Sequence, residues 1–186
     1  MTTINATPLT IHTVNSAPEG SRETAKAVAG LFGGTLPNLF GLLAGSPELL
    51  TSAATVNGLL GKISLSALEQ QVVEIVVSRE NGCDYCIAAH KFLARRLPQQ
   101  PIQAAVSNGS YEDAKVAVLA DFTSELVEHK GRVSPATRAA FAAAGYGERQ
   151  QLEVILITGL KTWHNLVNNL ADTPIDALFT QGTASR

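Results

Sequence analysis

Both cysteines of the chain lie in one short stretch, residues 81–90, which reads Asn-Gly-Cys-Asp-Tyr-Cys-Ile-Ala-Ala-His. An Asn-Gly pair breaks regular structure, and the residues that follow the stretch favour a helix. We therefore predict that Cys83 lies at or near the first turn of a helix that ends before Pro98. Cys86 follows Cys83 by three residues and His90 follows Cys86 by four, so all three side chains are predicted to share one helix face.

This arrangement predicts redox chemistry. A thiolate is a far better nucleophile than a thiol, and the N–H groups and dipole of a helix N-terminus lower a thiol pKa below its free value of about 8.5. Two sulfurs one turn apart can close a disulfide, so the pair can cycle between dithiol and disulfide. A histidine one turn further along can accept a thiol proton or deliver a proton to a leaving group.

Other interpretations of the two cysteines are weaker. A structural zinc site usually has four ligands, but this chain has a single CxxC, and the remaining histidines (His12, His129 and His164) are scattered. A thioredoxin-type site needs a strand before the CxxC, whereas the preceding segment favours a helix. A structural disulfide is disfavoured without an export signal, and two inert buried cysteines are the remaining alternative. We expect neither a metal nor a cofactor.

Length and composition limit which classes of protein are possible. The chain has 186 residues, of which 45% are hydrophobic and 16% charged, enough for one globular domain with a sizeable core. A net charge of −2 without a basic block argues against nucleic-acid binding. No uninterrupted apolar run approaches the ~20 residues of a membrane span, and no export signal is visible. A cytoplasmic location is therefore expected, and there a CxxC is more often catalytic than structural.

Helix signals dominate the chain. Ser66 and Glu69 form a capping box, and Ser46 and Ser134 each precede a proline as N-cap residues. These caps and the 3.6-residue spacing of apolar side chains predict an all-α protein of about eight helices. The predicted helical segments are 21–32, 36–44, 47–60, 66–80, 83–97, 102–106, 110–130, 135–144 and 148–169.

The ends of the chain are predicted to be less regular. Residues 9–14 alternate like a short strand, although an extended arm lying on a neighbouring element fits equally well. We divide the chain into an N-terminal arm (1–20), a single helical domain (21–178) and a loosely ordered C-terminal tail (179–186).

Three stretches, in order, resemble the alkylhydroperoxidase D (AhpD)-like proteins of the carboxymuconolactone decarboxylase superfamily, in their peroxidase-related branch. One is the CxxC-Ala-Ala-His arrangement after a Glu- and Gln-rich helical segment. Residues 36–47 resemble the N-terminal signature of the branch, and residues 145–176 resemble its C-terminal signature. The resemblance covers about residues 20–178. It implies an AhpD-like helical bundle that assembles as a homo-oligomer, often a trimer or hexamer, and that reduces hydroperoxides through thiols.

The resemblance also implies roles for three side chains. By position, Cys86 is the thiol that attacks the peroxide, Cys83 is the resolving thiol, and His90 belongs to a proton relay. Arguments from the residues leave the order of the cysteines open, because the helix terminus favours Cys83 as the lower-pKa thiol while proximity to His90 favours Cys86.

One position departs from the family pattern. The relay glutamate of the family lies twelve residues before the first cysteine, where this chain has Gln71, which can hold a hydrogen bond but cannot take a proton. Glu69 is the nearest substitute, although it is also the third residue of a capping box. Glu74 falls on the polar side of its helix and is expected to be solvated. Tyr85, between the cysteines, is expected to form a wall of the site, to donate a hydrogen bond, or simply to pack.

The sequence thus predicts a thiol-dependent peroxidase acting on organic hydroperoxides, with an external dithiol or protein as reductant. The alternatives are a thiol–disulfide oxidoreductase or redox sensor without peroxidase turnover, a protein like the carboxymuconolactone decarboxylases, and an oligomeric scaffold with an idle motif. On the last predicted helix, Trp163 is expected to pack in the core, and His164 is a candidate for the wall of the pocket.

Overall fold

The computed structural model describes residues 8–97, 111 and 113–180. This part of the chain contains nine helices and no strand, so the predicted all-α class is confirmed. The predicted helix 102–106 and most of the predicted tail lie outside the described residues. The helices are α1 (Glu19–Leu31), α2 (Asn38–Leu43), α3 (Pro47–Leu60), α4 (Ala67–Glu80), α5 (Asp84–Ala94), α6 (Ala114–Glu128), α7 (Pro135–Ala143), α8 (Glu148–Ala171) and α9 (Ala177–Thr180).

Local capping signals fix most helix starts. Ser46, Ser66 and Ser134 are the N-caps of α3, α4 and α7, and each accepts a hydrogen bond from the N–H of the third residue of its helix. Helix α6 differs from the prediction, which began it at residue 110. Its N-cap is Asp113, whose carboxylate accepts from the N–H groups of the second and third helical residues at 2.8 and 3.2 Å.

Helix α4 is enclosed by its neighbours, since it packs against α5, α6 and α8. Val72, Val73 and Val77 are all fully buried although they lie on different sides of the helix. The expectation that Glu74 is solvated is wrong, because this side chain is only 3% exposed. A helix covered on several sides has no solvated face in its middle turns, whatever its own sequence period.

The two ends of the described chain fold back onto the bundle. In the N-terminal arm, the N–H of His12 donates to the carbonyl of Gly41 in α2 at 3.1 Å. A Cβ at Gly41 would lie 2.5 Å from the His12 carbonyl oxygen, so only glycine allows this approach. At the other end, Phe179 in α9 is buried in the core that contains the cysteines, so ordered structure continues into the residues assigned to the tail.

Helix α8 carries an apolar stripe on its outer face, where core packing was expected for Trp163. That expectation is wrong, because the Trp163 side chain is 39% exposed. It lies in line with Leu152, Ile155, Leu166 and Leu170, which are all exposed; the five residues are spaced by three, eight, three and four, so they share one helix face. Among the described helices, none is long and apolar enough to cross a membrane.

Candidate active site

The two cysteines lie at the start of α5, where the chain reverses direction. Gly82 adopts a φ of 61°, in the left-handed region that glycine tolerates best. Cys83 follows as the N-cap of α5, and Cys86 lies in the first helical turn. Both side chains are free thiols and only 1% exposed. The thiol pair, Cys83 and Cys86, therefore combines a helix N-terminus with an apolar environment.

Helix α8 supplies the wall opposite the thiol pair. Four of its polar side chains are buried and are spaced by three, one and three residues: Lys161, His164, Asn165 and Asn168. The side-chain amide of Asn168 donates to the sulfur of Cys86 at 3.2 Å. Asn165 donates to the Ser78 hydroxyl at 3.3 Å. Sequence reasoning missed Lys161 and the two asparagines as site residues, although their spacing within the C-terminal signature stretch places them on one helix face.

The thiols differ strongly in acidity because they hydrogen-bond to each other. The pKa of Cys83 is lowered to about 6, first by the hydrogen bond from the Cys86 thiol, with burial opposing and the Cys86 backbone N–H, Asn165 and Asn168 assisting. The pKa of Cys86 is raised, first because its thiol donates to Cys83 and then by burial, while Lys161 and Asn168 act in the opposite direction. Above about pH 6 the pair thus holds one negative charge and one proton.

His90 is held between α4 and α8. Its Nδ1 lies 2.9 Å from Oε1 of Gln71 and 3.1 Å from Oε2 of Glu74. Its Nε2 contacts the ammonium of Lys161. An ammonium group can only donate, so Nε2 accepts and the imidazole proton lies on Nδ1, facing the two α4 side chains. We call these four residues, together with His164, the buried polar cluster.

Charges in the buried polar cluster compensate each other. Burial would raise the pKa of Glu74, but His90 and Lys161 outweigh burial and lower it to about 2, so the carboxylate is ionised. Lys161 is its cationic partner, with Nζ 3.5 Å from Oε1. Burial lowers the pKa of His90 below its usual 6.5, against the attraction of Glu74, so His90 is neutral at pH 7. A carboxylate thus lies beside His90, and it belongs to Glu74, whereas Gln71 offers its amide oxygen to the same nitrogen.

Glu69, the predicted substitute for the relay glutamate, is engaged elsewhere. Its carboxylate closes the capping box with Ser66, accepts from the Tyr146 hydroxyl at 2.8 Å, and lies 3.3 Å from the Lys115 ammonium. These partners belong to the loop before α4, to α6 and to the residue before α8's N-cap. The structure therefore brings Cys83, Cys86, His90 and Gln71 into one region, together with Glu74, and gives Glu69 a different set of partners.

Tyr85, which lies between the cysteines in α5, forms hydrogen bonds to α2 and to the segment before α9. Its hydroxyl donates to Oδ2 of Asp176 at 2.6 Å and accepts from the N–H of Leu39 at 3.2 Å. Burial and the hydrogen bond to Asp176 raise its pKa, so it stays protonated. Asp176 also accepts from the N–H of Asn38 at 3.0 Å. The N-terminal and C-terminal signature stretches thus meet at the first turn of α5.

A small cavity opens beside the thiol pair. Its volume is about 90 Å³, and it is lined mainly by aromatic and aliphatic side chains. Of the two cysteines, Cys86 is in its wall and Cys83 is not. Its polar wall comes from Cys86, Asn57, Tyr85 and part of the buried polar cluster. The lining residues are Phe32, Pro37, Leu39, Phe40, Asn57, Tyr85, Cys86, Ala89, His90, Leu93, Lys161, His164 and Phe179.

The described residues contain no group of three or more His, Cys, Asp or Glu side chains that could hold a metal ion. The polar groups around the cavity are instead thiols, imidazoles, an ammonium and amides. These groups can stabilise a thiolate, move protons and donate hydrogen bonds to an oxygen atom.

Comparison with known proteins gives the class of fold. No protein-family model and no curated protein matches the chain. Among solved structures, an uncharacterized peroxidase-related protein from Silicibacter sp. TM1040 is similar with a TM-score of 0.76 and 23% identity, over 89% of each chain. An alkylhydroperoxidase AhpD core protein from Ralstonia eutropha JMP134, also peroxidase-related and uncharacterized, has a TM-score of 0.78 and 20% identity, over 97% of this chain and 100% of that one.

A third similar structure is the debrominase Bmp8, in a cysteine-to-alanine variant in complex with 2,3,4-tribromopyrrole. The TM-score is 0.78 at 16% identity, over 93% of this chain and 94% of that one. Together these likenesses show that the chain has the AhpD-like fold, as the sequence resemblance predicted. They also show that proteins of this fold differ in activity, so the function of this chain has to be argued from its site.

Proposed function

We propose that the protein is a thiol-dependent peroxidase that reduces organic hydroperoxides through a dithiol–disulfide cycle of Cys83 and Cys86. The observation that carries the proposal is a free thiol pair at a helix N-terminus, with Cys86 in the wall of an apolar cavity and the pKa of Cys83 lowered to about 6. Such a pair is ionised at neutral pH, which is the state that attacks a peroxide.

We assign the two thiols different catalytic roles on the basis of their position and acidity. Cys86 reaches the cavity, so it attacks the peroxide, and Cys83 resolves the intermediate. The pair shares one proton along the hydrogen bond between the sulfurs. When that proton moves to Cys83, the thiolate lies on Cys86, where Asn168 donates to it and the positive charge of Lys161 favours it. The low pKa of Cys83 makes it the resting site of the charge rather than the attacking atom.

The proposed cycle balances in two steps. The Cys86 thiolate attacks the distal peroxide oxygen, the O–O bond breaks, and Cys86 sulfenic acid and an alkoxide form; the alkoxide takes up a proton and leaves as alcohol. The Cys83 thiol then attacks the Cys86 sulfur, the S–O bond breaks, and the hydroxyl leaves with the thiol proton as water. The peroxide gains the two electrons that the thiols lose. An external dithiol or protein reductant restores both thiols.

His90 acts in this account through the network that holds it. Its Nδ1 proton faces Gln71 and Glu74, and its Nε2 accepts from Lys161, so it positions the ammonium beside Cys86. Glu74 balances the charge of Lys161 within the protein interior. The family's proton relay is thus proposed to be replaced by a charge network of Glu74, His90 and Lys161.

We also propose that the active protein is a homo-oligomer that uses the apolar stripe of α8. The stripe, Leu152, Ile155, Trp163, Leu166 and Leu170, runs along the helix on the side away from the buried cluster. Exposed apolar side chains along one helix face are typical of an interface. A second copy of the chain is the proposed occupant, because the sequence resemblance implies a homo-oligomer and every copy presents the same stripe.

A second candidate function is reductive dehalogenation, favoured by the likeness to the debrominase Bmp8 and by the aromatic wall of the cavity. A Cys86 thiolate would attack the halogen, the carbon would take a proton, and Cys83 would displace halide to form the same disulfide. A thiol–disulfide oxidoreductase without peroxidase turnover, and a decarboxylase-like activity, remain the alternatives from the sequence.

One assay separates these functions. Reduced protein is supplied with dithiothreitol and, in parallel reactions, with cumene hydroperoxide, a polybrominated pyrrole, insulin disulfides or a lactone acid. We expect catalytic consumption of the hydroperoxide that is lost in Cys86→Ser. Halide release, insulin reduction or decarboxylation without hydroperoxide consumption would instead assign the corresponding alternative.

A further inference from the structure

The ammonium of Lys161 determines which nitrogen of His164 carries the proton. It has three hydrogens to donate and three acceptors close by: Nε2 of His90, Nδ1 of His164 at 3.5 Å, and Oε1 of Glu74 at 3.5 Å. Because the ammonium cannot accept, Nδ1 of His164 is the acceptor. The proton of the neutral imidazole therefore lies on Nε2.

This Nε2–H group has no hydrogen-bond partner within the described part of the protein. The His164 side chain is only 2% exposed, so bulk solvent does not satisfy the donor either. Buried polar groups are nearly always paired, and an unpaired one in a native structure needs an explanation. His164 is in the wall of the cavity that also contains Cys86, which places the unpaired donor beside the reacting sulfur.

The rest of the cavity wall indicates what kind of molecule would meet this donor. The rings of Phe32, Phe40, Tyr85 and Phe179 give an apolar, aromatic surface. The cavity, of about 90 Å³, has room for the peroxide end of a ligand, whose apolar remainder extends through the open side. Pockets of this type bind an apolar body and fix its orientation through a few polar contacts. An oxygen next to the apolar body would accept from His164 while lying close to the Cys86 sulfur.

We propose that Nε2–H of His164 donates a hydrogen bond to the oxygen of a small aromatic or branched alkyl hydroperoxide bound beside Cys86, and to the alkoxide that leaves it. That the ligand is a hydroperoxide rests on the function proposed above. The hydrogen bond from His164 to an oxygen of the ligand does not depend on that function. Burial lowers the pKa of His164 well below 6.5, so it acts as a neutral donor and not as an acid. A preorganised donor aimed at developing negative charge is a common source of rate enhancement.

Two variants test the donor. His164→Phe keeps a ring of similar size but removes the N–H group, whereas His164→Gln restores an N–H donor on a flexible side chain. His129→Phe, at an exposed histidine next to α6, serves as the matched control. Alkylation of the thiols by iodoacetamide and the thermal melting temperature report whether the thiol pair and the fold are intact in each variant.

Two measurements are made on each protein: the second-order rate of thiol loss with cumene hydroperoxide, and the Kd for 2-phenyl-2-propanol, its product alcohol, by calorimetry. We expect His164→Phe to slow thiol loss by about 100-fold and to weaken alcohol binding by about 10-fold. His164→Gln should recover most of both losses, and iodoacetamide alkylation should change by less than about threefold in every variant.

The inference would be overturned if His164→Phe had the same rate of thiol loss and the same Kd for the alcohol as the parent. The Nε2–H group would then donate only to bound water or to the Phe40 ring. Absence of alcohol binding by the parent would overturn the inference as well. If the parent binds the alcohol through His164 but its thiols do not react with the hydroperoxide, the peroxidase function fails while the ligand contact stands.

Discussion

The side-chain amide of Asn168 donates to the sulfur of Cys86 at 3.2 Å, across the contact between α8 and α5. The same asparagine also lowers the pKa of Cys83. Two stretches separated by some eighty residues thus form one thiolate site. The thiol pair thus takes part of its acidity from α8.

The first prediction concerns the acidity of the thiol pair. The pKa of Cys83 is lowered to about 6, so the thiolate is present above that pH and is lost as the pH falls through it. Thiolate absorbance, measured as a function of pH, should show its first step near pH 6. Asn168→Ala removes one donor and should move this step up by about half to one pH unit. A first step at the ordinary thiol pKa in the parent would contradict the site geometry.

The second prediction concerns the charge network. Glu74→Gln leaves the Lys161 ammonium buried without its carboxylate, so the free energy of unfolding should fall by about 3–5 kcal/mol. Combining it with Lys161→Met, which removes the other charge, should recover a large part of this loss. Glu69→Gln is the matched control and should cost only about 1 kcal/mol, because glutamine can still accept the hydrogen bonds from Ser66 and Tyr146, and the lost ion pair is with the half-exposed Lys115. Urea denaturation measures all four proteins.

Equal losses in Glu74→Gln and Glu69→Gln would contradict the assignment of Glu74 to the site. The peroxidase assay gives a second readout. Glu74→Gln should reduce the rate of hydroperoxide reduction more than Glu69→Gln does, because only Glu74 lies beside His90 and Lys161.

The third prediction is a loss of stability in mild acid. Burial lowers the pKa of both His90 and His164 below 6.5, so below that pH the unfolded chain binds protons that the folded protein excludes. Stability therefore falls as the pH decreases from 6.5 to 5, by up to about 1.4 kcal/mol per pH unit for each histidine. Chemical denaturation across this range should show a shallower slope in His164→Phe than in the parent. An unchanged slope would mean that His164 is protonated in the folded state.

The fourth prediction tests the apolar stripe of α8. Leu166→Glu places a charge in the stripe and should dissociate the oligomer, since a buried unpaired charge opposes association. Ala139→Glu adds the same charge at an exposed position of α7 and should leave the mass unchanged. Light scattering coupled to size-exclusion chromatography gives the mass of each protein. A monomeric parent, or an unaffected Leu166→Glu variant, would exclude this stripe as an interface.

Local signals made most of the fold predictable from the sequence. A serine followed by proline or by the Ser-x-x-Glu pattern acts within one helical turn, so the starts of α3, α4 and α7 agree with the structure. The thiol pair and His90 were recognised for the same reason, because their spacing along one helix is a local property.

The remaining features depend on which helices pack together. Glu74 was expected to be solvated because its own helix period places it on the polar side, and it is buried because α5 and α8 cover that side. Trp163 lies outside for the converse reason, since in this part of α8 the buried face carries Lys161 and two asparagines. Sequence period alone does not show that a polar face is buried against a partner of complementary charge.

The central claim is tested most directly by adding one equivalent of cumene hydroperoxide to the fully reduced protein and counting free thiols over time, with Cys86→Ser alongside. We predict rapid loss of both thiols in the parent, and no hydroperoxide-driven loss of the remaining thiol in Cys86→Ser. A variant that reacts at the parental rate would assign the attack to Cys83. Parent thiols that persist for hours would contradict the peroxidase function itself.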